Sequence, residues 1–293
     1  MATHLIGLMS EVLKMSEVKL YYGDCLEILP SIPDGSIDFI CTDLPYSVLA
    51  KDSEGGKWDK MIPLEPMWEQ FLRIAKKNAA IVLFAQGLFT ARLIMSQPKL
   101  YKYSLVWDKC RISGFLNANK MPLRSHEDIV VFYRSLPTYN PQMVKCEPHQ
   151  RNHSRGNLVK RKANRCYGTF IDTPSIISDE KFPRSILSFP RPHCNSNHPT
   201  EKSLDLCRWL VRTYSNPGEM VLDATMGSGT TGVACVMEDR GFIGIESEEK
   251  YMTIAKRRID EASIGNPTVS IQSDSVSTNT SDKTPSLVQG ELF

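Results

Sequence analysis

Short apolar runs alternate along this chain with segments of helical period, and that alternation restricts its fold more than any other feature. Residues 18–22, 37–42, 79–85, 103–107 and 128–133 read as strands, with helices expected at 64–77 and 88–95. The pattern breaks after about residue 135 and then resumes. A helix is expected at 203–214, a strand at 220–224, a helix at 230–238, a strand at 242–246 and a helix at 251–262. Repeated units of this kind argue for an α/β fold built on a mostly parallel sheet.

Composition sets the outer limits. With 293 residues, 41% of them hydrophobic and 23% charged, the chain can bury one large core or one core plus a smaller module, and disorder throughout is excluded. Thirty-five Lys and Arg against 33 Asp and Glu leave a net charge of +2, so overall charge does not announce a nucleic-acid partner. The eight cysteines are scattered without a Cys-x-x-Cys pair, which suits a reducing cytoplasm. No apolar stretch approaches the ~20 residues of a membrane span. Residues 1–16 contain Glu11 and lack a signal-type core, so a soluble, cytoplasmic protein with no membrane partner is expected.

Five regions follow from these patterns. Residues 1–16 form an N-terminal extension with the spacing of a short amphipathic helix. Residues 17–135 and 186–263 carry the two stretches of alternating strands and helices. Between them, residues 136–185 are rich in Pro, Asn, Arg and Lys and read as an inserted module. Residues 264–293 are rich in Ser, Thr and Asn and are expected to be a disordered tail.

Two motifs carry chemistry. Asp43-Leu44-Pro45-Tyr46 directly follows the second strand, so an acid and an aromatic ring are placed at a strand's C-terminal edge, where open α/β sheets bind ligands. Such a corner suits a flat, amino-bearing base. The second motif is the run from Asp223 through Gly227 and Gly229 to Thr230, a strand, a tight glycine turn and a helix start that lets backbone amides approach a ligand. A further strand ends in Glu246 about twenty residues later, the placement of a carboxylate that accepts hydrogen bonds from ribose hydroxyls. An adenosine-containing cofactor follows. A dinucleotide oxidoreductase is the rival reading, but the turn lacks the third glycine of that fingerprint and the rival leaves Asp43 to Tyr46 unexplained.

Together with Tyr22-Gly23-Asp24-Cys25 and His198-Pro199-Thr200-Glu201-Lys202, these blocks resemble the amino-group DNA methyltransferases that use S-adenosylmethionine. The order, with the catalytic motif ahead of the glycine turn, is that of the permuted subgroup. The resemblance covers about residues 18–262. It implies a Rossmann-like, circularly permuted sheet of seven strands with one antiparallel strand near its edge, and an inserted target-recognition region. The two stretches then become a catalytic half and a cofactor-binding half that meet in one site.

By the same resemblance, Asp43, Leu44, Pro45 and Tyr46 are catalytic. Asp24 contacts the cofactor's adenine, Glu246 its ribose and the turn at Asp223, Gly227 and Gly229 its methionine part. Thr200 and Lys202 sit near its carboxylate, and Thr230 adds a hydroxyl. The reaction implied is methyl transfer to N6 of a flipped adenine in double-stranded DNA. Cytosine N4 is the alternative, and a catalytically silent nucleic-acid-binding protein of the same fold is the alternative from another class. A homodimer and a cognate restriction enzyme are left open. Two residues depart from the family's commoner pattern: Leu44 stands where proline is usual, and Ser203 follows Lys202 where proline is usual.

The insert concentrates positive charge that is nearly balanced elsewhere. Lys145, Arg151, Arg155, Lys160, Arg161, Lys162 and Arg165 face only Glu147 over residues 143–166, an electrostatic footprint for DNA phosphates. Asn117, Asn119, Arg124 and Arg191 are further candidates for backbone contact. Cys146, His149, His153 and Cys166 have spacings compatible with zinc. The family requires no metal, and none is expected.

Overall fold

The computed structural model describes residues 16–46, 59–146, 179–192, 201–264 and 269–274, the last segment as backbone. The first half runs β1 (Ser16–Tyr22), α1 (Cys25–Ile28), β2 (Ile37–Thr42), α2 (Leu64–Ile74), β3 (Ala75–Ala85), α3 (Leu88–Ser96), β4 (Tyr101–Ser113) and β5 (Arg124–Phe132). Two-residue strands β6 (Val144–Lys145) and β7 (Glu180–Lys181) follow, then β8 (Ile186–Ser188). The second half runs α4 (Leu204–Tyr214), β9 (Met220–Asp223), α5 (Thr230–Met237), β10 (Gly241–Glu246), α6 (Glu249–Ser263) and β11 (Val269–Asp274).

Nine strands form one sheet in the order β11-β1-β10-β9-β2-β3-β5-β4-β8. Neighbours pair in parallel except around β5, which runs antiparallel to both β3 and β4. The single reversed strand matches the expected α/β architecture. The count differs: β8 and β11 extend the expected seven at the two edges. β8 has three residues, of which Leu187 alone is buried, too little for a sequence period to register. β11 corrects the expectation of disorder throughout 264–293, since Val269–Asp274 pairs in parallel with β1. An edge strand pairs its backbone along one side, and the Ser-rich composition around this one gives no strand period.

The central strands are apolar on both faces because helices cover both. Alternate residues divide cleanly between two cores. On one face Phe39, Val82, Phe84, Val131, Val221 and Phe242 pack with Leu206, Leu210 and Tyr214 of α4, with α5, and with Ala255 and Ile259 of α6. On the other, Ile40, Ile81, Leu83, Val130, Leu222 and Ile243 pack with Trp68, Phe71 and Ile74 of α2 and with Phe89 and Leu93 of α3. Because β9 lies between β10 and β2, the sheet joins the late and early halves of the chain at its centre. The described ends of the inserted region also meet, through the antiparallel pair β6 and β7. Among the described residues no helix is long and apolar enough to cross a membrane.

Candidate active site

Parallel strands carry their C-terminal ends to one edge of the sheet, and the motifs lie at four of those ends. Asp24 follows β1, Asp43 to Tyr46 follow β2, the glycine turn follows β9 and Glu246 ends β10. The reversed direction of β5 brings its beginning to the same edge. A cavity of about 510 Å³ opens there, and its walls include Asp24, Asp43, Leu44, Pro45, Tyr46, Lys202, Asp223, Gly227, Thr230 and Glu246. Residues far apart in sequence therefore face one space.

The glycine turn is shaped by its own backbone. Gly227 and Gly229 adopt φ of 53° and 76°, conformations that a side chain disfavours. Their surroundings differ. The Gly227 amide donates to Glu246 Oε2 at 2.8 Å, whereas the Glu248 amide donates to Glu246 Oε1 at 2.8 Å. Glu246 is thus fixed by two amides beside the cavity. Burial raises its carboxyl above the usual range, and those amides oppose the rise. Gly229 does not line the cavity but packs on α6, where a Cβ would lie 2.8 Å from the Cβ of Ala255.

Arg258 of α6 braces this turn. Its Nη1 donates to the Ser228 carbonyl at 2.6 Å and to Thr230 Oγ1 at 3.1 Å, while its Nη2 pairs with Glu201 at 2.6 Å. Asp24 caps α1 by accepting from the Leu26 amide at 2.8 Å. Burial pushes the Asp223 carboxyl up to about 6, against hydrogen bonds that include one from the Thr225 amide.

Thr225 is the seam between the two motifs. Its hydroxyl donates to the carbonyl of Asp43 at 2.9 Å and lies 2.8 Å from Thr42 Oγ1. The Asp43–Tyr46 corner itself is held by side chains. Tyr46 donates its hydroxyl to Asp43 Oδ1 at 2.6 Å, and its ring stacks on Phe89 with centroids 5.0 Å apart. Leu44 is buried in the core beneath, so this departure from proline anchors the loop by packing.

Lys202 occupies an unexpected place. Its ammonium donates to Asp43 Oδ2 at 2.5 Å and lies 3.3 Å from Glu127 Oε2. Lys109 then meets Glu127 Oε1 at 3.3 Å. Lys109, Glu127, Lys202 and Asp43 form an alternating chain of charge in which the Lys109 side chain is only 4% exposed and that of Lys202 10%. Burial alone would raise Glu127, but Lys202 and Lys109 outweigh it and hold that carboxyl below its usual range. Burial likewise raises Asp43, with Lys202 pulling the other way.

Glu127, Lys109, Thr225 and Arg258 escaped the sequence analysis. A usable signal existed for the first two: charged residues beside the buried runs of β4 and β5, at ends that reach the ligand edge. Arg191 also lines the cavity, and Arg124 donates to Gln86 at 3.1 Å. Asn117 lies in a short helical turn after Gly114, and Asn119 just beyond it. Lys145 is exposed on β6, opposite Glu180 of β7. Thr200, Arg151, Arg155, Lys160, Arg161, Lys162 and Arg165 lie outside the described residues, as do His149, His153 and Cys166. No group of His, Cys, Asp or Glu suited to a metal occurs among the described residues.

The fold is thus an α/β sheet with one reversed strand, bearing an acid and aromatic corner beside a glycine turn. Residues 37–257 match the DNA methylase family model, and the chain belongs to this family of N6 and N4 methyltransferases. It is 28% identical over 257 residues to the DNA adenine methyltransferase YhdJ of Escherichia coli K12, covering 83% of each chain. Among solved structures, M1.HpyAVI in complex with SAM aligns at 24% identity with a TM-score of 0.54, over 82% of this chain and 99% of that one. The cytosine-N4-specific PvuII DNA methyltransferase aligns at 17% identity with a TM-score of 0.59, over 84% and 88% of the two chains. These two structures share the fold.

Proposed function

We propose that the protein is a sequence-specific DNA methyltransferase that moves a methyl group from S-adenosylmethionine to N6 of an adenine flipped out of duplex DNA. The observation that carries this reading is that the Asp43–Tyr46 corner and the Gly227–Glu246 turn open onto one cavity, joined by Thr225. Its volume of about 510 Å³ falls within the range of cofactor and small-molecule sites. A carboxylate offers about four lone-pair sites, so Glu246 can accept from ribose hydroxyls while keeping its two amides. The resemblance also assigns Asp24, Lys202, Asp223, Gly227, Gly229 and Thr230, all among the described residues, to the donor.

S-adenosylmethionine supplies an electrophilic sulfonium methyl. The acceptor is the weaker partner, because the lone pair of an exocyclic amine is delocalised into its ring. Asp43 and the Leu44 carbonyl accept the amine's two hydrogens and favour a pyramidal nitrogen, and fixed orientation supplies much of the rate. Pro45 stiffens the corner. Tyr46 stacks on the flipped base and offsets part of its unstacking cost. The basic insert at 136–185 contacts phosphates and reads the target.

An acid at position 43 favours adenine, since cytosine-N4 enzymes of this kind more often place serine there. The adenine-specific relative supports the same choice. Purified protein incubated with unmethylated genomic DNA and methyl-labelled S-adenosylmethionine tests it, with nucleosides read by mass spectrometry. Label in 6-methyladenine is expected. Label in 4-methylcytosine instead would reassign the base, and label in neither would end the methyltransferase reading.

A further inference from the structure

The chain Lys109–Glu127–Lys202–Asp43 is hard to explain as a stabilising feature. Taking an ion out of water costs several kcal/mol, and buried pairs often return less than a well-packed apolar replacement would. Here two cations and two anions are sequestered along one wall of the cavity, and the series ends on the acid assigned to the acceptor amine. Four elements contribute: β4 carries Lys109, β5 carries Glu127, the segment before α4 carries Lys202 and the loop after β2 carries Asp43. Lys202 is further confined by the ring of Phe84, whose centroid lies 5.1 Å from its ammonium.

Both oxygens of Asp43 are engaged, one by the Tyr46 hydroxyl at 2.6 Å and the other by Lys202 at 2.5 Å. We propose that Lys202 is a positioning residue for Asp43: held by Glu127, and through it by Lys109, it fixes the orientation and the ionised state of the Asp43 carboxylate. This rests on the reading that Asp43 faces the acceptor amine. It also gives Lys202 a different task from the cofactor-carboxylate contact that the motif implies. An acid that must accept amine hydrogens has to be ionised and correctly aimed, and burial opposes the first requirement. Lys202 answers both with one ammonium.

Several groups face Asp43 from the surrounding elements. Lys202 favours its charged form, as does the hydrogen bond from Tyr46, whereas Glu127 disfavours it. Asp223 of β9, Cys207 of α4 and Cys41 of β2 are also electrostatically coupled to it. The signs of the two main partners are opposite. Removing Lys202 should raise the midpoint at which Asp43 loses its proton, whereas removing the Glu127 charge should lower it. A pair of variants that merely loosened the fold would not split in this way.

The test is a titration of the Asp43 carboxyl by 13C NMR in ligand-free protein, with the resonance assigned by its absence from Asp43→Asn. Lys202→Met is expected to move the midpoint up and Glu127→Gln to move it down, with Lys202→Arg staying near wild type. In single-turnover methylation of genomic DNA, Lys202→Met should be slower at neutral pH by roughly 100-fold, the scale of a misplaced catalytic group. Part of that loss should return as pH rises, and donor affinity by calorimetry should stay near wild type. Midpoints that do not move, or that move the same way in both variants, would overturn the proposal. So would a Lys202→Met protein that loses donor affinity yet keeps the wild-type midpoint. Should Lys202→Met fail to fold, the sign of the Glu127→Gln shift still decides. Failure of the underlying function looks different: wild type would transfer no methyl group while the titrations still report on the charge chain.

Discussion

The two corners of the cavity are held in place by different physics. At the glycine turn, Glu246 is fixed by the amides of Gly227 and Glu248, groups supplied by nearby backbone. At the acid corner, Asp43 is fixed by side chains, one of them 159 positions away in sequence. Backbone amides do not titrate, so the donors of the first corner persist over any pH at which the protein is folded, and the Glu246 carboxyl is its one titrating group among those named. The second depends on the ionisation of Lys202, Glu127 and Asp43 itself. A corner fixed by backbone amides can be built locally, whereas a buried acid needs compensating charge brought from elsewhere.

The sharpest way to break this contrast is Asp43→Ala. Methyl transfer should fall by on the order of 10³-fold or more, the scale of losing a group aimed at developing charge. Affinity for S-adenosylmethionine by calorimetry should remain largely intact. Equal damage to donor binding would show that the corners are one functional unit.

Glu246→Ala is the complementary change and the next in size. Losing charge-assisted hydrogen bonds should weaken donor binding by roughly 10- to 100-fold. At saturating donor the transfer rate should recover most of its wild-type value. A persistent rate defect would mean that Glu246 also shapes the acid corner.

Asp223 sits under the seam and gives the smallest effect. Burial raises its folded carboxyl from the ordinary 3.8 to about 6, so the folded state holds this proton more tightly than the unfolded chain does. Protonation therefore favours folding, and the wild type loses that contribution as pH rises from 3.8 through about 6. Asp223→Asn has no such dependence. The Tm difference between the two should move in favour of the variant across that window, and a flat difference would contradict the assignment.

The same contrast explains what was legible in the sequence. The glycine turn, Glu246 and the strand before Asp43 are local, and residues 37–42, 64–74, 88–95 and 204–214 fold much as their periodicity demands. β4 and β5 run longer than the expected 103–107 and 128–133 because their added ends include charged residues such as Arg111 and Arg124, which interrupt the apolar signal. The local geometry of the glycine turn and of Glu246 at its strand end could thus be anticipated from sequence. The wiring of Asp43 could not, since nothing near it in sequence names Lys202, Glu127 or Lys109 as partners. Leu44 is instructive for the opposite reason: its departure from proline suggests a looser loop, yet a leucine there buries itself in the core.

The account stands most directly on a crystal structure of the protein with S-adenosylmethionine bound. The ribose hydroxyls should lie on Glu246, and the sulfonium methyl should open toward the space in front of Asp43 and Tyr46, with Lys202 still paired to Asp43. A donor seated with its methyl turned away from that corner, or with its carboxylate drawing Lys202 off Asp43, would contradict it.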